Sequence, residues 1–251
     1  MQPERQKNPP LRSQRGFTLV ELLVTITIII AISGLALVGM KNARTSANMI
    51  VAANRVKGLG LANATYAADN GGRYVPIITD ENGGPAVQWH FNAEFLSALI
   101  GELKVLEGVI GYEGVDGIPQ SVLDPVTVKA KKRYWNRLSG SFGHNQEWMP
   151  AKVAWGVRGT ADQHTIMSIK NPSQTFNFIT STDWLVRYDA RYFWLKKPIE
   201  GKTENGQIAY RHKGKAIAVF YDGHTEFISP SDMKKLDAKG GRDNGFWGGS
   251  R

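Results

Sequence analysis

Arg15-Gly16-Phe17-Thr18-Leu19-Val20-Glu21-Leu22-Leu23-Val24-Thr25-Ile26 opens an apolar run that continues to Met40. Residues 17–40 carry one charge, Glu21, and as a helix they would extend about 36 Å at ~1.5 Å per residue. That is enough to cross a bilayer. A secretory signal has a shorter apolar core, about 7–15 residues, ending in a small-x-small site. Ala31, Ser33 and Ala36 make a poor version of that site. A plain membrane anchor explains the length but not Glu21, because a carboxylate in hydrocarbon costs on the order of 3 kcal/mol and calls for a partner. A helix buried in a soluble core would need apolar cover on every side, and the surrounding sequence offers too little.

The rest of the composition narrows the function classes. The 251 residues suffice for one medium domain plus an anchor, with 42% hydrophobic and 21% charged residues. Net charge is +9, and removal of residues 1–16 would leave +6. No run of five or six like charges occurs, so the excess reads as solubility and argues against nucleic acid as a partner. The chain has no cysteine, which excludes disulfides, thiolate zinc sites and a cysteine nucleophile. Basic residues stand on both sides of the apolar run (Arg12 and Arg15 before it, Lys41 and Arg44 after it), so charge bias alone does not orient it.

The segment Arg15-Gly16-Phe17-Thr18-Leu19-Val20-Glu21 resembles the type IV prepilin processing signal. The resemblance implies cleavage after Gly16 by prepilin peptidase, N-methylation of Phe17, and an assembly role for Glu21. In that role its carboxylate neutralises the terminal amine of a neighbouring subunit. The physics agrees, since two charges that are each costly in lipid become cheaper when paired. The family also implies an inner-membrane anchor with the head in the periplasm, and contacts with other subunits and the secretion or pilus platform.

Residues 41–70 continue the helix in amphipathic form: Met49, Ala52, Val56, Leu59 and Tyr66 recur at three- and four-residue steps, with Asn63 interrupting. Gly58 and Gly60 weaken it by up to about 1 kcal/mol each, and a kink is expected there. Asn70-Gly71-Gly72 ends it. The run from Asn54 to Pro76, with Tyr66-Ala67-Ala68-Asp69-Asn70, is similar to pseudopilins of the planctomycete and verrucomicrobial kind, grouped with type II secretion protein G. Those proteins also carry His, nine residues, then Asp-Gly, matched here by His212, Asp222 and Gly223. Residues 77–205 carry no comparable motif.

Three strands are expected over 207–212, 215–221 and 224–228, with a type I′ turn at Asp222-Gly223. The middle strand is apolar on both faces, so a central position with the helix on one side is expected. The expected fold is pilin-like α+β: leader 1–16, transmembrane helix 17–40, amphipathic helix 41–70, periplasmic head 71–238 and flexible tail 239–251.

No residues present a catalytic constellation. His212 and Asp222 would sit at opposite ends of one strand, about 20 Å apart at ~3.3 Å per residue, and Asp222 with His224 makes only two ligands on a turn. Their expected role is structural. Trp89-His90-Phe91-Asn92-Ala93-Glu94 is not a zinc-peptidase helix, and Ser139-Gly-Ser-Phe-Gly-His144 reads as a flexible loop. Asp232, Asp237 and Asp243 lie where some secretion pseudopilins bind calcium, without a calcium-loop spacing. No cofactor is assigned. The expected function is a structural subunit of a type II secretion pseudopilus or type IV pilus-like filament. The alternative is a minor subunit whose head, rich in Trp89, Trp135, Trp148, Trp155, Trp184 and Trp194, engages glycan, DNA or secreted substrate.

Overall fold

The computed structural model describes residues 17–79, 87–101, 118–129, 138–145, 164–188 and 206–248. The chain divides into two units, 1–44 and 45–251. Helix α1, Leu19–Asp69, is continuous through the boundary and takes in the expected helix nearly to the residue. In the first unit its apolar side chains are exposed throughout, from Leu19 at 79% to Met40 at 64%.

The second unit begins where α1 becomes amphipathic. Ala52, Val56, Leu59, Gly60, Asn63, Tyr66 and Ala67 form a buried stripe, while Asn54, Lys57 and Leu61 stay exposed. Asn70, Gly71 and Gly72 stop the helix as expected: both glycines have positive φ, and the Gly72 amide donates to the Ala67 carbonyl at 2.7 Å. A two-stranded ladder follows, β1 (Ile78–Thr79) against β2 (Val87–Gln88), then α2, Ala93–Ile100, capped by Asn92.

The remaining elements are α3 (Pro125–Lys129), α4 (Leu138–Ser141), β3 (Phe142–Asn145), β4 (Phe176–Thr180), β5 (Leu185–Val186), β6 (Ala216–Phe220), β7 (Thr225–Ile228) and α5 (Pro230–Ala238). β3 to β7 build one sheet in the order β5-β3-β4-β6-β7, antiparallel except for the β3–β5 pair. The α+β, pilin-like expectation holds: α1 packs on this sheet.

β6 explains the two-layer core. Its Ile217 and Val219 face the α1 stripe together with Phe178, Trp89, Phe95 and Phe142. Its Ala216, Ala218 and Phe220 face the other way, onto Met233 of α5 and onto Phe246 and Trp247. Helix and sheet approach closely at Gly60, where an added Cβ would lie 2.7 Å from Val219 Cγ2. Glycine is required there by contact, not by backbone conformation.

Several sequence expectations are corrected. No continuous strand forms over 207–212. Ile208 makes an isolated bridge to Ser181, and His212 another to Lys215. The type I′ turn is at Lys213-Gly214, where both residues have positive φ (52° and 77°) and His212 and Lys215 exchange two backbone hydrogen bonds. At the Asp222 turn only Gly223 has positive φ, and the Gly223 amide donates to the Phe220 carbonyl at 2.9 Å. That is a three-residue hairpin loop with the left-handed residue last.

The segment from Ser139 to His144, read as a loop, forms part of α4 and the interior strand β3. Gly143 permits this, since a Cβ would meet the Asp183 carbonyl oxygen at 2.8 Å. Within the tail expected to be flexible, Phe246 and Trp247 are buried to 3% and 1% exposure and stack on Phe176. Two large aromatics removed from water outweigh the freedom of the glycines around them.

Asn63, the interruption in the apolar series, is fully buried. Its side-chain oxygen accepts from the Val75 amide at 2.8 Å and its nitrogen donates to Asn177 Oδ1 of β4 at 2.9 Å. It ties the helix to the following turn and to the sheet. Asn63→Ala leaves the Val75 amide and Asn177 unpaired in the core, at about 1–3 kcal/mol for each buried orphan. A loss of roughly 2–4 kcal/mol in urea unfolding is expected; a loss below about 1 kcal/mol would contradict this role.

Candidate functional site

The first functional candidate is the start of α1. Gly16 lies outside the described residues; Phe17 precedes the helix and is 83% exposed. Thr18 caps the helix in a reciprocal arrangement. The Glu21 amide donates to Thr18 Oγ1 at 3.3 Å, while Glu21 Oε2 accepts from the Thr18 amide at 2.9 Å and from its hydroxyl at 2.8 Å. This is a capping box, and a carboxylate at this end also opposes the positive end of the helix dipole. Glu21 therefore has a local conformational role as well as the assembly role implied by the resemblance. Its carboxylate is held one residue from the position that cleavage after Gly16 would convert to an amine.

An 18-residue stretch within α1 reaches a mean hydropathy of 2.6 with none of it buried, so the helix is long and apolar enough to cross a membrane. Residues 11–39 match the family model described as the prokaryotic N-terminal methylation motif. The N-terminal segment is prepilin-like. That range includes Gly16, Phe17 and Glu21, and the prepilin-like segment with its apolar helix makes the chain membrane-anchored before assembly. Comparison with curated proteins and with solved structures gives no match.

The motif of His212, Asp222 and Gly223 separates into two sites. His212 is buried and its Nε2 is 2.9 Å from Oδ2 of Asp124, 88 residues away in sequence. The guanidinium of Arg211 is 3.6 Å from the same oxygen and also donates to the carbonyls of Gly140 and Ser181. Asp124 in turn caps α3: its Oδ1 accepts from the Val126 amide at 2.8 Å, with Pro125 at the first helical position. Burial pushes this carboxyl up, but the His212 hydrogen bond, the Arg211 and His212 charges and the Val126 amide together hold it below its usual range. Asp124 is the residue that sequence reasoning missed, although Asp before Pro is a helix-start signal. The site is a buried ion cluster that locks the 206–215 segment to α3 and α4.

Asp222 pairs instead with His224. Its Oδ1 lies 2.5 Å from His224 Nδ1, and the imidazole stacks on Phe220 at 4.3 Å between ring centres. His212 and Asp222 are not brought together: His212 pairs with Asp124 and Asp222 with His224. Asp232, of the three acids considered for calcium, caps α5 through Ser229. Among the described residues no group of three or more His, Asp or Glu side chains could hold a metal ion. Of the tryptophans considered for ligand binding, Trp89 is fully buried and Trp184 is partly buried. Trp135, Trp148, Trp155 and Trp194 lie outside the described residues.

A second histidine is built into the core. His144 of β3 is 1% exposed, packs edge-on to Phe178, and its Nδ1 donates to the Asn145 carbonyl at 3.3 Å. Burial pushes it down to about 3; the Asn145 carbonyl raises it somewhat and the His164 charge lowers it further. An unfolded chain protonates this residue near pH 6.5. Stability is therefore complete above about pH 6.5 and is lost as pH falls toward 3, at up to about 1.4 kcal/mol per pH unit. Asp124 adds a loss below about pH 4, and Asp183, raised by its own burial against the Trp184 and Gly206 amides, works the other way. Urea midpoints measured at pH 7, 5 and 4 are expected to fall steadily, and His144→Phe to flatten the fall by about one proton. Equal slopes for the two proteins would contradict this.

Proposed function

We propose that the chain is a pilin or pseudopilin subunit, working in a type II secretion pseudopilus or a type IV pilus-like filament. The observation that carries this reading is the register of the N-terminal segment. A methylation motif is matched over residues 11–39, at the head of a continuous exposed apolar helix, and in the prepilin resemblance Gly16, Phe17 and Glu21 take the cleavage, methylation and assembly positions. Prepilin peptidase cuts after Gly16 and methylates Phe17, and the head then faces the periplasm. Glu21 pairs with the methylated amine of a neighbouring subunit, exchanging the Thr18 bonds of the capping box for an intersubunit ion pair. The work of the molecule is assembly, with no catalytic step.

The alternative, a binding head built on exposed aromatics, draws nothing from Trp89, Trp184 and Trp247, which are buried or partly so.

Two substitutions at Glu21 separate charge pairing from helix capping. Glutamine can complete a capping box at this position, so Glu21→Gln keeps the local structure and removes only the charge. Glu21→Gln is expected to insert in the membrane as the parent does, yet to lower filament recovery at least about tenfold when co-expressed with its assembly system, as is Glu21→Ala, because either change removes one charge of an ion pair in lipid. Full assembly by Glu21→Gln would leave Glu21 as a cap and contradict its assembly role.

A further inference from the structure

The Lys213-Gly214 turn breaks a local rule at an exposed position. Type I′ turns favour Asn or Gly at the first central residue, because a side chain with a Cβ is disfavoured at positive φ by roughly 1 kcal/mol or more. Lysine takes that place here, with φ 52°. The turn is not loose. Immediately before it, Arg211 and His212 are clamped to the buried carboxylate of Asp124. The strained residue is thus held by a built platform, and Lys213 itself is exposed.

That ammonium points to a particular place along the chain. Lys213 Nζ donates to Ser46 Oγ of α1 at 2.8 Å. Ser46 stands six residues after Met40, the last residue of the apolar run. Whatever the conformation between them, six residues span at most about 20 Å, which bounds how far Ser46 can lie from the end of the apolar run. Lys215 follows on the same turn and is partly exposed. Between Glu21 and Asp69 the sequence contains only Lys41, Arg44, Arg55 and Lys57 as charged residues, and the carboxylate of Asp124 is buried with Arg211 and His212. The acidic hairpin residue Asp222 belongs to the other end of β6, where Tyr221 packs with Ala67 and Tyr74.

We propose that the Lys213-Gly214 turn is a contact surface for anionic phospholipid, with Lys213 and Lys215 donating to headgroup phosphates where the chain leaves the bilayer. Lys213 has two N–H donors left after its bond to Ser46, and a juxtamembrane lysine is attracted to an anionic leaflet. The contact holds the head against the membrane before assembly and is given up when the subunit is drawn into a filament. This inference rests on the membrane-anchored reading above.

The test is lysine acylation by a water-soluble ester, followed by mass spectrometry, on the full chain in nanodiscs of phosphatidylglycerol or of phosphatidylcholine. Lys213 and Lys215 are expected to react about fivefold more slowly in phosphatidylglycerol, with Lys239 of the C-terminal region reacting equally in both. Lys213→Asn keeps a favoured turn residue, so its melting temperature should equal or exceed the parent's, while the protection of Lys215 is lost. Equal rates in the two lipids, for a chain that co-purifies with the nanodisc, would overturn the headgroup contact and leave the anchor intact. A chain that does not enter nanodiscs at all would overturn the anchor and this inference together. Protection reproduced in detergent by millimolar inorganic phosphate would assign the site to a free anion. Protection that grows with protein density in phosphatidylcholine would assign the surface to a second copy of the chain. Either result overturns the proposal.

Discussion

Side chains from Leu19 to Met40 are exposed along a helix in which 18 residues reach a mean hydropathy of 2.6, and water is not an environment in which they can rest. Each large aliphatic left in water forgoes roughly 1.5–3 kcal/mol relative to burial, so the segment demands lipid or the helices of other subunits. The rest of the molecule answers to that demand. A carboxylate in lipid is costly unless a partner meets it, and the partners the structure gives Glu21 are the amide and hydroxyl of Thr18.

Past residue 45 the same helix changes its task. One stripe of it, from Ala52 to Ala67, is buried on the sheet, and the close approach at Gly60 and the hydrogen bonds of Asn63 fix its register. The opposite face of β6 is closed by α5 and by Phe246 and Trp247 from the chain's C-terminal region. Buried polar groups then tie distant segments together: Asp124 with Arg211 and His212, Asn63 with Asn177, Thr180 with Ala209 and Ile217. Such pairs are costly to break because each leaves an uncompensated partner behind. They tie the described segments of the second unit to one another, while residues 19–40 of α1 are made for a different solvent.

The helix was legible because its signals are local: a long apolar run, then a three-to-four-residue repeat, then Asn70-Gly71-Gly72. β6 and β7 were legible for the same reason. Their connecting turns were less so, because Lys213-Gly214 takes the type I′ geometry that residue preference assigns to Asp222-Gly223. β3 escaped notice, since Gly143, His144 and Asn145 lack strand preference and are strand residues only through contacts with β4 and β5. The Asp124–His212 pair spans 88 residues, and no periodicity reports a contact of that kind. The tail looked mobile by glycine content, but two aromatics decide its placement.

The mass of the mature N-terminus tests the prepilin-like reading most directly, measured with and without a co-expressed prepilin peptidase. A chain beginning at Phe17 and heavier by one methyl group is the predicted result, with the intact precursor found when the peptidase is absent. An intact Met1 terminus in the presence of active peptidase would contradict it and reduce α1 to a simple anchor.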